Sequence, residues 1–199
     1  MKSRLPPLAL CGLGYFAPWL WPVPAALRLS GYELVEWMTF AESVRNGTYP
    51  ITRLDLLWPL AGIALLTALL PSPRGRGAGG EGDSNNLAIA IAALLSLFAS
   101  YLILPAYPFI LTAHTDPELR PQLVLGLVTG LAALFAAALA RRRPHWTPLL
   151  SSLISLISLF ATVRAFLIIR QPLADILSHP APVGFGFYVA VIGFGLVAM

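Results

Sequence analysis

Charge is scarce in this chain. Only 11% of its 199 residues are charged while 57% are hydrophobic, against about 25% and 45–50% in a soluble domain. A water-soluble fold of this length cannot hide so much apolar surface, and the mean hydropathy of +0.76 points the same way. Lysine is nearly absent: Lys2 is the only one, so the net charge of +4 rests on arginine. Together with abundant Ala, Leu, Gly and Pro, that bias reads as the product of a high-GC coding genome. Cysteine is reduced to Cys11, which excludes an intrachain disulfide. Leu10 precedes it where a lipoprotein signal wants a small residue, so Cys11 reads as a packing residue.

Reactive constellations are missing too. His114 and His179 fall near Asp116, Glu118 and Asp175, yet no i, i+4 pair or Cys/His spacing brings them together as a zinc site requires. His145 stands beside Trp146, and no histidine falls mid-run where it could ligate haem. Gly75 to Gly82 is glycine-dense but has neither the lysine nor the strand-to-helix setting of a phosphate loop. No nucleophile has a base at a matching depth, and no acid lies inside an apolar run to carry a coupling ion. The expectation is therefore no enzyme activity, no metal and no cofactor. A pI of 9.6 does not indicate nucleic acid either. The one basic cluster, Arg141, Arg142 and Arg143, separates two apolar runs and acts as a topology signal.

What the chain does have is long uncharged runs. A helix rising 1.5 Å per residue needs about 20 apolar residues to cross about 30 Å of hydrocarbon. On that measure the sequence predicts an all-α polytopic membrane protein, with six transmembrane helices in three hairpins at 5–24, 55–71, 87–111, 121–140, 148–169 and 183–199. A cleaved signal peptide competes for the first run, but no small-residue cleavage site follows it. Pro18, Pro22 and Pro24 should stop that helix near Trp21, and Pro105 and Pro108 should bend the end of the third. Residues 72–86, rich in Gly, Ser, Asn and Pro, read as a flexible inner loop.

Lys and Arg counted by side set the orientation. With the N-terminus inside, Lys2, Arg4, Arg74, Arg76, Arg141, Arg142 and Arg143 are cytoplasmic, and Arg28, Arg45, Arg53, Arg120 and Arg170 are outside. Both termini are thus expected in the cytoplasm of a cell whose inner (plasma) membrane holds the protein. Trp19, Trp21, Trp37 and Trp58 would lie near the outer interface and Trp146 near the inner one. In the first outer loop, Ser30 and Glu33 have capping-box spacing. Leu34, Trp37, Met38, Ala41 and Val44 follow at helical spacing, with Asn46 and Gly47 as a stop. This predicts an amphipathic helix over 31–45, on the interface or capping the bundle. A short one is predicted from Pro172 to Leu177.

Small residues supply packing seams. Gly126, Gly130, Ala133 and Ala137 form one stripe, and Ser151, Ser155, Ser158 and Thr162 form another. Lipid gives helices no hydrophobic reason to associate, so close backbone approach supplies the contact. The spacing predicts that these two stripes pack against each other; a polar substrate path is the other reading of the serines. Gly186, Ala190 and Gly193 offer a third seam. Arg164 is the one ionisable residue well inside a run, which marks it as a possible functional charge. The first reading is a side chain that snorkels to the headgroups, and the second an ion pair with Asp175 or Asp55 or a contact with a neighbouring subunit.

Phe16, Ala17, Pro18, Trp19 and Leu20, followed by Ser30, Gly31, Tyr32, Glu33 and Leu34, resemble the opening of uncharacterised small multi-span membrane proteins of bacteria. In these a Pro-Trp end to the first helix precedes a Ser-Gly-aromatic-acid loop. Gly184, Phe185, Gly186, Phe187 and Tyr188 are similar to their last span. The resemblance implies the topology and no site. The expected role is a non-catalytic accessory or scaffold subunit, whose partners are the lipid bilayer and other membrane subunits or its own copies. The alternative is a small substrate-binding component of a transporter for a neutral or apolar molecule, marked by a polar and aromatic cavity beneath 31–45.

Overall fold

The computed structural model describes residues 4–21, 28–38, 41–70, 82–177, 180 and 182–199. Of the described residues, 77% are helical. Among the described residues, eight α-helices accompany a two-stranded antiparallel ribbon. Two helical runs are long and apolar enough to cross a membrane, Arg120–Arg142 and Pro144–Ile176. Among the described residues, Leu5–Phe16, Ile89–Ile103 and Phe185–Ala198 are shorter apolar helices.

The chain forms two compact units, Met1–Leu60 with Ser155–Met199, and Ala61–Ile154. In the first unit, α1 (Leu5–Phe16) stops before the Trp21 expected for it. Proline disfavours helical backbone in the residue before it, and Ala17, ahead of Pro18, is extended at φ −80°, ψ 159°. Pro18 also has no N–H to give the carbonyl of Gly14, four residues back. The indole N–H of Trp19 donates to that carbonyl at 2.9 Å instead. The chain then runs extended as β1 (Pro18–Leu20), paired with β2 (Leu29–Ser30). On its other side Trp21 N–H donates to Pro182 O at 2.9 Å and Gly184 N–H to Trp19 O at 2.7 Å. Pro22 and Pro24 lie outside the described residues.

The capping box at Ser30 opens α2 (Gly31–Trp37): Glu33 N–H donates to Ser30 Oγ at 3.2 Å and Ser30 N–H to Glu33 Oε2 at 2.8 Å. The helix expected over 31–45 is two short helices, α2 and α3 (Glu42–Arg45), with 39–40 outside the described residues. At Ala41 the backbone is extended, φ −75°, ψ 105°, which breaks the continuous helix. Leu34, Val35, Met38 and Ala41 are buried within the protein. α3 ends where Gly47 takes φ +72°. Its N–H reaches Val44 O, and Thr48 N–H reaches Ser43 O, both at 3.0 Å, the paired bonds of a Schellman stop.

α4 (Arg53–Ala68) contributes Arg53–Leu60 to this unit, and Leu56, Leu57 and Leu60 are buried. α7 (Thr147–Leu177) runs through Pro172 and absorbs the separate helix expected at 172–177. Proline's φ is helical, and interior proline is tolerated in apolar helices where neighbours satisfy the freed carbonyl. α8 (Phe185–Ala198) packs antiparallel on α1. A Cβ on Gly14 would sit 2.2 Å from Ala190 N, and one on Gly193 would sit 2.6 Å from Cys11 N. The two backbones are in direct contact.

In the second unit, α5 (Gly82–Ile103) and α6 (Arg120–Arg142) pack antiparallel. The loop expected at 72–86 is corrected at its end: 72–81 lies outside the described residues, and 82–86 already belongs to α5. The run expected to be helical to 111 is also corrected, because α5 ends at Ile103. Pro105 and Pro108 turn the chain there, leaving a 3-10 turn at Phe109–Leu111. Asp116 Oδ1 accepts from Glu118 N–H at 2.8 Å and opens the turn into α6. α6 matches its expected span to within two residues.

Candidate functional site

The densest polar cluster of the first unit joins α4, α7 and the segment before α4. Thr52, just ahead of α4, gives both its N–H and its hydroxyl to Asp55 Oδ2, at 2.8 and 2.9 Å. The other oxygen of Asp55 receives Arg164 Nη1 of α7. Arg164 Nη2 lies 3.5 Å from Pro50 O. Of the partners weighed for Arg164, the structure gives Asp55. The guanidinium is 42% exposed and the carboxylate 19%, so the pair is partly screened.

A second link runs parallel to it. The Tyr49 hydroxyl donates to Asp175 Oδ2, holding the same segment to the C-terminal turns of α7. That bond, with lesser contributions from desolvation and the nearby negative charge, raises the Tyr49 pKa above the ordinary tyrosine value. Arg53 and Glu36 pair at 3.5 Å and tie α4 to α2. Thr52 and Tyr49 had not stood out in the sequence, although the Thr52 to Asp55 spacing is that of a capping residue and its acid.

Beneath α2 lies an aromatic cluster. Trp19 meets Tyr15, Phe166 and Phe187 edge to face at 5.9, 6.3 and 5.9 Å, and Phe166 stacks on Phe187 at 3.8 Å. The Tyr15 hydroxyl donates to Leu56 O at 2.9 Å. Arg170 holds its guanidinium 5.7 Å from the Phe166 ring centre.

The small-residue stripes find partners inside each unit. Gly126 is set against Leu104 at the end of α5, where an added Cβ would meet Leu104 Cδ2 at 2.5 Å, and Gly130 faces Ser100 at 3.8 Å. Gln122 Nε2 donates to Ile103 O at 2.9 Å on the same face. Ala133 is buried and Ala137 half-buried. Ser151, Ser155, Ser158 and Thr162 are all buried. Ser155 donates to Phe194 O of α8 at 2.6 Å, Ser151 to Pro148 O at 3.0 Å and Thr162 to Ser158 O at 2.7 Å. Within its own unit the first stripe thus meets α5, and Ser155 of the second meets α8.

His114 is exposed in the turn before α6, and His179 lies outside the described residues. Among the described residues no group of three or more His, Cys, Asp or Glu could hold a metal ion. Chemically, the arrangement closes donors onto acceptors and backbones onto backbones. Compared with protein-family models, with curated proteins and with solved structures, the chain shows no match.

Proposed function

We propose that the chain is a six-span integral membrane protein with both termini cytoplasmic, acting as a non-catalytic accessory or scaffold subunit. The carrying observation is apolar surface that the protein leaves uncovered. Only 28% of the apolar window of α6 and 33% of that in Pro144–Ile176 is buried. Val124, Leu127, Val128, Leu131, Leu134 and Phe135 stand exposed on α6, and Leu153, Leu156, Ile157 and Phe160 on α7. Contiguous patches of this extent mark contact with lipid or protein.

The short helices fit the same reading. α1 and α8, at 12 and 14 residues, rise about 18 and 21 Å, short of about 30 Å. Each continues into extended chain, Ala17 to Trp21 and Pro182 to Gly184, whose backbone groups bond one another. Non-helical backbone is tolerated at membrane depth where it is buried in protein, and Trp19, Leu20, Leu29 and Ser30 are buried.

The subunit role rests on Gly and Ser seams built for close approach and on the Arg164–Asp55 and Arg53–Glu36 pairs. Extraction from native membranes in mild detergent, followed by size analysis, tests it. Co-migration with another membrane protein or with further copies is expected. A monodisperse lone chain overturns the subunit role, and a chain that stays dispersed without detergent overturns the membrane reading.

A further inference from the structure

One face of α7 carries a groove that the packing of the fold does not use. Leu167, Arg170, Gln171 and Ala174 recur at helical spacing along it, Pro180 lines it as well, and the open space measures about 250 Å³. Arg170 is exposed and, among the described residues, makes no ion pair. Asp175, the nearest acid along the helix, is taken by Tyr49. The Phe166 ring holds one face of the guanidinium, and Phe166 is itself fixed by stacking on Phe187, which leaves the N–H edge free to donate. Gln171, beside it and exposed, adds an amide donor. Leu167, one turn earlier, is 57% exposed and gives the groove an apolar wall toward the middle of α7.

We infer that this groove binds the phosphate of an anionic phospholipid, with Arg170 and Gln171 as donors and Leu167 against the lipid's apolar part. The inference rests on the membrane reading, which places this end of α7 at an interface. A planar guanidinium matches a phosphate with two parallel N–H donors. Pockets that enclose a drug-sized ligand measure about 300–1,000 Å³. The groove is smaller, which suits a headgroup whose chains remain in the bilayer.

The test uses the full chain in non-ionic detergent, with retained phosphatidylglycerol, phosphatidylcholine and inorganic phosphate measured by native mass spectrometry. Phosphatidylglycerol should be retained in preference to phosphatidylcholine. Arg170→Ala should weaken that retention about tenfold, Arg170→Lys should keep part of it, and Gln171→Ala should weaken it less. Arg120→Ala, an exposed arginine of the other unit, serves as the control and should match wild type. Unchanged retention in Arg170→Ala overturns the site, and displacement by an equal concentration of inorganic phosphate overturns the lipid as its occupant. If the protein still requires detergent while either result is obtained, the site falls and the membrane reading stands.

Discussion

Gly14 and Gly12 sit on the same short helix in opposite circumstances. A Cβ at Gly14 would lie 2.2 Å from Ala190 N and 2.6 Å from its Cα, both backbone atoms, whereas a Cβ at Gly12 meets nothing within 4 Å. Backbone cannot step aside as a side chain can. Gly14→Ala should therefore push α1 off α8 and cost at least the ~1–3 kcal/mol typical of overpacking. Gly12→Ala should be neutral or stabilise by roughly 0.5–1 kcal/mol through helix propensity. Thermal unfolding in detergent checks the pair, and equal shifts for both would refute the contact. The chain itself hinted at Gly14, because Cys11 and Gly14 are small residues three apart, but nothing local says that Ala190 and Gly193 are their partners. Tyr49 makes a second prediction at this scale. Its raised pKa means the folded state favours the neutral phenol, so the contact with Asp175 is fully present below pH about 10 and is lost as pH rises through the higher folded value. In a tyrosinate absorbance titration, the component removed by Tyr49→Phe should ionise above the ordinary tyrosine value, and Asp175→Asn should bring it down. A component already at the ordinary value would contradict the bond.

Helix boundaries were legible wherever the deciding chemistry lies within four residues. The Ser30 and Glu33 box, the Asn46 and Gly47 stop and the limits of α6 all appear where the pattern put them. The misplaced limits involve proline acting with a distant partner. Pro18 ends α1 five residues before the expected Trp21 because Trp19 can cap the orphaned Gly14 carbonyl and the extended chain finds β2 and residues 182–184 to pair with. A separate short helix is expected from Pro172, yet α7 continues through it. Apolar periodicity says nothing about such pairings, which is also why the seam partners and the Asp55 cluster emerged only in three dimensions. The local devices make their own prediction. Ser30→Ala removes the side-chain acceptor for Glu33 N–H, leaves the backbone N–H of residue 30 to Glu33, and should cost about 1 kcal/mol, and Gly47→Ala at positive φ should cost roughly 1–2 kcal/mol. Amide exchange should accelerate in α2 for the first and in α3 for the second, with the rest of the chain protected as before. Uniform acceleration throughout would show that these short helices unfold only with the whole.

Across the whole molecule, the sequence has a built-in advantage for testing its own topology. Cys11 is the only cysteine and is fully buried, so wild type should be silent to a membrane-impermeant maleimide, and single cysteines placed on exposed loops report their side directly. Thr48 and Glu118 are exposed positions in two connections, and Arg142 is exposed at the end of α6. The first two fall on the side assigned outside by the arginine asymmetry and the third in the basic turn assigned inside. Thr48→Cys and Glu118→Cys should therefore label on intact cells, and Arg142→Cys only after permeabilisation. The outcome discriminates between architectures as well as between orientations. Residue 118 precedes α6 and residue 142 ends it; the helix is long and apolar enough to cross, so labelling of both from outside would mean that α6 does not cross. Residues 48 and 118 are separated by α4 and α5, of 16 and 22 residues. Their appearance on one face requires that these two helices either both cross or both stay. If a further cysteine at Gly82, between them, is reached only after permeabilisation, both cross. If it labels from outside, the apolar middle of the chain dips into the bilayer and returns, and the three-hairpin arrangement gives way to one in which α6 and α7 alone span.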